Sequence, residues 1–268
     1  MKKILVWVIA FLITASTAVF QRLTGPTHPV RGKVKIDNSQ ISYKLERNHE
    51  TTSDYELGIK VQNREIAGNL MWKRHKTDDS WVNIPLARKN DLLVGSLPAQ
   101  PPAGKLDYRV ILTYQEKEAS LTGEKPVTIR FKGHVPMALL ISHIIVIFAA
   151  MLFSTRAGIE ALDPRGDPRK LALWTLGLLI LGGFILGSAV QKLSFGQFWT
   201  GVPFGYDLTD NKTLIALIGW VVAVVAGRGG RKARWWVLAA SVLLLVVYLI
   251  PHSLLGSELK YSKTTGTF

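Results

Sequence analysis

Apolar and polar positions follow two different rhythms along this chain. In residues 4–20, 135–153, 171–190, 213–227 and 235–250 the apolar side chains run almost unbroken. Each stretch approaches the roughly 20 residues that a helix needs to cross hydrocarbon, so five membrane helices are predicted. Between the first two, residues 29–133 switch to short alternating runs at 41–45, 55–61, 69–72, 81–86, 108–114 and 127–131, separated by clusters of Asn, Asp, Gly and Pro. A period of two sends one set of side chains to a buried face and the other to water. That segment is therefore predicted to be a small all-β sandwich. The expected fold class is a membrane α-helical bundle plus an all-β domain. Residues 1–22 would form an anchor helix, 29–133 the sandwich, 134–259 a four-helix membrane domain and 260–268 an outer tail.

Charge sets the orientation. A net charge of +14 on a soluble protein would point to nucleic acid, but much of the excess here flanks the apolar runs. Arg156, Arg165, Arg169 and Lys170 lie between the second and third, and Arg228, Arg231, Lys232 and Arg234 between the fourth and fifth. Under the positive-inside rule both segments are cytoplasmic, and Lys2 and Lys3 place the N-terminus there too. The sandwich, the segment 195–213 and the C-terminus then face the periplasm of a bacterial inner membrane. Expected partners are the bilayer and periplasmic or membrane proteins, with no nucleic acid. Ser16 and Ala18 before Val19 also fit a leader cleavage site, but retention as an anchor is the reading taken. The sequence has no cysteine, which excludes disulfides and thiol redox chemistry. It holds no phosphate-loop, nucleophile-elbow or His-Glu-x-x-His motif, and no enzyme activity is assigned to the chain by itself.

The segment 195–213, FGQFWTGVPFGYDLTDNKT, sets aromatics, glycines and two aspartates between two apolar runs. Asp207, Thr209 and Asp210 suit capping of the following helix, whose first amides lack partners. Trp199, Phe198, Phe204 and Tyr206 suit either an interfacial belt or a ligand platform. Gly183 and Gly187 in the third run form a small-xxx-small pair that lets a neighbouring helix approach. Among the histidines, His28, His49 and His75 are expected to be solvated. His134 opens the second helix and His252 follows the fifth, both at the outer boundary. His143 lies roughly 13 Å deeper than His134 at a helical rise of 1.5 Å per residue. For it a quinone contact, one-sided haem ligation or a hydrogen bond to a neighbouring helix all stay open.

Two resemblances are carried by these residues. The run LPAQPPAGKLDYRVIL at 97–112 resembles the E to F corner of fibronectin type III and other immunoglobulin-like domains, with Tyr108 as the residue whose hydroxyl returns to upstream backbone. The order His134-Val-Pro, then FGQFWTGVPFGYDLTDNKTLI, then His252-Ser253 resembles the haem-handling membrane proteins of cytochrome c maturation, which carry a loop of the form WGxxWxWDxxxT between two external histidines. Gly196 and Trp199 fit that pattern, and Asp207 holds a similar place. Where the family loop is rich in tryptophan, this one keeps Trp199 and places Phe195, Phe198, Phe204 and Tyr206 beside it. The resemblance implies haem b held by His134 and His252 as axial metal ligands and resting on residues 195–207. Lys192 or Lys212 would then lie near the propionates, and the protein would present haem or pass electrons at the periplasmic face. The competing expectation is an accessory or scaffold subunit whose sandwich docks a periplasmic partner.

Overall fold

The computed structural model describes residues 2–226, 233–251, 256, 258, 259 and 261. By internal contacts the chain forms two compact units, Met1–Pro26 with Val135–Ser257, and Thr27–His134 with Glu258–Phe268. The first is helical and the second is built of sheet.

In the sheet unit, β1 (Val30–Ile36) and β2 (Ser39–Leu45) form a hairpin. A larger sheet runs β3 (Asn48–Glu50), β11 (Val127–Lys132), β9 (Lys105–Tyr114), β5 (Ala67–Arg74) and β6 (Val82–Pro85), with β10 (Lys117–Ser120) also on β9. A third sheet runs β4 (Tyr55–Lys60), β8 (Leu92–Leu97), β7 (Ala87–Lys89). Pairing is antiparallel throughout except β3 with β11. Strand β4 shows why alternation is readable: Tyr55, Leu57 and Ile59 are buried while Glu56, Gly58 and Lys60 are exposed. These meet Leu70, Leu93, Leu97, Leu106, Tyr108, Leu112 and Phe131 in one apolar core shared by the larger and the third sheet. Each fully buried leucine contributes about 2 kcal/mol by removal from water.

The Tyr108 hydroxyl returns to upstream backbone as expected, donating to Glu46 O at 2.7 Å across 62 positions. The bond ties β9 to the turn after β2. His75 is mostly buried and bonded, with its Nδ1 2.8 Å from Asp107 Oδ1, and so is not a solvated surface residue.

The helical unit has five helices among the described residues: α1 (Lys2–Thr24), α2 (Met137–Leu162), α3 (Arg169–Phe195), α4 (Leu208–Ala226) and α5 (Ala233–Leu249). The first four are long and apolar enough to cross a membrane, and α5 is shorter. Helix α2 outlasts its apolar run, with Ala157, Gly158 and Ala161 buried in its last turns and Arg156 and Glu160, one turn apart, paired at 2.5 Å. Arg156 is thus buried inside α2, over the Trp7 ring, and not in the loop where the charge pattern put it. Small residues allow α2 and α5 to approach closely. A Cβ on Gly158 would lie 2.3 Å from Ser241 Oγ, which donates to Ser154 O at 2.9 Å.

Residues Ile180–Leu186 of α3 form a π turn, in which amides reach back five residues rather than four. Gly182 and Gly187 lie closest to α2, while Gly183 lies between α2 and α4. A Cβ on Gly182 would sit 3.2 Å from Ile147 N and one on Gly187 3.3 Å from His143 Cε1, whereas Gly183 meets Thr213 of α4.

Candidate functional site

Residues 196–207 link α3 to α4. Helix α3 stops at Gly196, whose φ of 86° is open to glycine without Cβ strain. The Lys192 ammonium donates to Gly196 O at 2.7 Å and lies over the Phe198 ring.

Asp210 is the hub of the loop. Its Oδ2 accepts from Thr200 N at 2.6 Å, Gly201 N at 3.1 Å, Thr200 Oγ1 at 3.1 Å and Gln191 Nε2 at 2.9 Å, and the residue is only 4% exposed. Asp207 caps α4, with Oδ1 accepting from Thr209 N at 2.8 Å, and its Oδ2, 3.1 Å from Thr200 Oγ1, shares that single hydroxyl proton with Asp210. Asn211 Oδ1 takes the Val202 amide at 2.7 Å. Gly201 and Gly205 admit this folding-back, since a Cβ would stand 2.7 Å from Asp210 Cβ at the one and 2.4 Å from Thr200 O at the other. The peptide between Val202 and Pro203 is cis.

The aromatics divide into two sets. Trp199 stacks on Phe184 of α3, ring centroids 5.2 Å apart, and donates its indole N–H to Val202 O at 3.1 Å. Phe198, Phe204 and Tyr206 are 61%, 82% and 92% exposed. Carboxylates and small polar groups therefore hold the loop from within, and apolar rings form its outer surface.

The other candidate residues stand as follows. The Lys212 ammonium is buried and donates to Ile250 O at 2.7 Å, beyond the C-terminus of α5, where a cation complements the helix dipole. Gln21 of α1 donates to Tyr248 O at 2.8 Å at the same helix end. His143 donates from Nδ1 to Gly182 O at 2.9 Å, inside the π turn, which forms the expected bond to a neighbouring helix. His134 belongs to the sheet unit, where its Nδ1 is 3.2 Å from Glu50 Oε2. His252 lies outside the described residues. Among the described residues no group of three or more His, Asp or Glu is arranged to hold a metal ion.

A second feature lies in the sheet unit, where a cavity of about 330 Å³ is lined by His75, Lys76, Thr77, Lys105, Glu258, Leu259 and Tyr261. No motif in the sequence marked these residues. They come from the turn after β5, the start of β9 and the C-terminal segment, and their meeting is a product of the fold. Burial raises the Glu258 carboxyl, but hydrogen bonds from Lys105 and Lys76 outweigh it and bring it down to about 2. No protein-family model matches the chain, and no curated protein matches its sequence.

Proposed function

We propose that this protein is a membrane-anchored docking subunit without catalytic activity of its own. Its helices sit in a bacterial inner membrane, with an immunoglobulin-like sheet domain and the 196–207 loop on the periplasmic side. The observation that carries the reading is the loop itself. Four donors converge on Asp210, three of them from the loop, and the rings of Phe198, Phe204 and Tyr206 are held outward. A rigid aromatic surface beside the ends of two membrane helices suits packing against another membrane subunit, since aromatics dominate the contact energy of protein interfaces. Helix α1 is a retained anchor in this reading, because Trp7 packs on Phe153 with centroids 5.4 Å apart and Gln21 holds the end of α5. Copurification in mild detergent tests it. A stoichiometric partner should accompany the wild-type protein and be lost from Phe204→Ala, Tyr206→Ala. A protein that purifies alone under all mild conditions would contradict the docking role.

A second reading keeps haem b. It is favoured by His134, whose Nδ1 meets a carboxylate and whose side chain is 65% exposed, leaving Nε2 as the free ring nitrogen. A carboxylate on the far ring nitrogen is the usual support of a metal-bound imidazole. The Soret spectrum of protein expressed with haem decides it: a band lost in His134→Ala supports ligation, and the absence of any band removes the reading.

A further inference from the structure

We propose that the sheet unit carries a binding cleft for an extended acidic and aromatic peptide, bounded by His75, Lys76, Ala103 and Lys105, and that the chain's own Glu258, Leu259 and Tyr261 occupy it in cis. The inference stands on the sheet unit alone and does not depend on the docking role of the loop.

Extended peptides are recognised through main-chain hydrogen bonds together with separate seats for successive side chains. Both are present. The Leu259 amide donates to Ala103 O at 3.1 Å. Two residues away, Tyr261 Oη accepts from the Lys105 amide at 2.9 Å and stands 3.1 Å from both Gln100 Oε1 and Lys105 O. Arg74 lies over its ring, 5.2 Å from the centroid. Gly104 leaves room for this hydroxyl, since a Cβ there would lie 3.0 Å from it. One residue before Leu259, the Glu258 carboxylate takes Lys105 Nζ at 2.5 Å and Lys76 Nζ at 2.8 Å. His75 Nε2 stands 3.9 Å away, its ring oriented by Asp107, which also accepts from Thr128.

The backbone is shaped around these contacts. Among the described residues, the non-glycine positions at positive φ are Asp37, Lys76, Asn90, Ala103 and Gln115. Asp37, Asn90 and Gln115 turn hairpins between paired strands. Lys76 lies in the longer connection between the paired β5 and β6, while Ala103 lies between β8 and β9, which do not pair with each other, and both touch the tail, one through its ammonium and the other through its carbonyl. Left-handed backbone at a residue with a Cβ costs energy and persists where its surroundings impose it.

The seat is also exchangeable. Glu258 is one-third exposed and Lys76 two-thirds exposed, so salt screens their attraction. The cavity beside them is cationic and still holds space, which a ligand with a further carboxylate would fill. A tail tethered to the same chain competes at a high effective concentration, so the cleft admits only a ligand that outbids it.

The test uses full-length protein in detergent and a fluorescent peptide with the sequence of residues 256–263, read by anisotropy. Glu258→Ala, Tyr261→Ala should bind the peptide at least ten-fold more tightly than wild type. Adding Lys76→Glu should weaken that binding several-fold, and a scrambled peptide should not bind. Equal binding, or none, by wild type and double variant would overturn the proposal, as would indifference to Lys76→Glu. Should the double variant fold poorly, Tyr261→Phe serves instead. It should speed hydrogen exchange at the Lys105 amide, which in wild type donates to the lost oxygen, and unchanged exchange there would show that the tail is not seated.

Discussion

The aromatic loop of the helical unit and the seated tail of the sheet unit are short segments that each centre on a carboxylate, and they differ in what that carboxylate meets. Asp210 is buried and receives two backbone amides, a hydroxyl and a side-chain amide. Glu258 is one-third exposed and receives two ammonium groups on long side chains. Loss of Asp210 removes the acceptor that its Oδ2 gives the Thr200 and Gly201 amides, whereas the exposed Lys76 ammonium returns to water. A carboxylate seated on backbone amides makes a permanent structure, and one that is itself one-third exposed and shared between a largely buried and an exposed lysine makes a reversible contact.

The largest expected effect is therefore Asp210→Ala. It leaves the Thr200 and Gly201 amides without their acceptor and should destabilise the helical unit by about 3 kcal/mol, seen as a lower apparent Tm in detergent. Asp210→Asn, which keeps an oxygen acceptor, should cost less. Gly201→Ala forces a Cβ to within 2.7 Å of Asp210 Cβ, an overpacking expected to cost roughly 1 to 3 kcal/mol. Glu258→Gln should change the Tm by at most about 1 kcal/mol equivalent, with the difference vanishing in high salt. An effect there as large as that of Asp210→Ala would erase the distinction between the two sites.

Acid gives the smallest effect and sharpens the contrast. Lys76, Lys105 and His75, with Asp107 behind His75, face the Glu258 carboxyl. It titrates near 2 when seated and returns to the ordinary carboxylate range when released. Its contribution is complete above that range and disappears as the pH falls through about 2. Protection of the Lys105 amide, corrected for intrinsic exchange, should hold steady from neutral pH to about 4. Loss of protection above that point would place the carboxyl at its ordinary value and deny the clamp.

Helix and strand identity was legible where a single pattern governs a segment. The apolar runs became helices, and the alternation at 55–61 became β4 with every second residue buried. Strand β1 alternates Val30, Gly32, Val34 and Ile36 with the exposed Arg31, Lys33 and Lys35, while β8, which reads Leu-Leu-Val-Gly-Ser-Leu, lacks a clean period of two; neither was foreseen. The end of α2 was hidden because its last turns are packed through small residues and carry an ion pair, so the apolar run stops before the helix does. At the loop, the cap formed by Asp207 follows from residue type beside a helix start. The role of Asp210 does not, since its partners depend on how the chain folds back. The seat for the tail was least legible, as Glu258 meets residues 153 and 182 positions away in sequence, and no local signal encodes that distance.

Hydrogen exchange of the intact protein in detergent, followed as sodium chloride rises, addresses the contrast most directly. The amides of Lys105 and Leu259 should exchange faster with added salt, while those of Thr200 and Gly201 stay protected throughout. Equal responses at the two sites, or a loop that opens before the tail, would contradict the account.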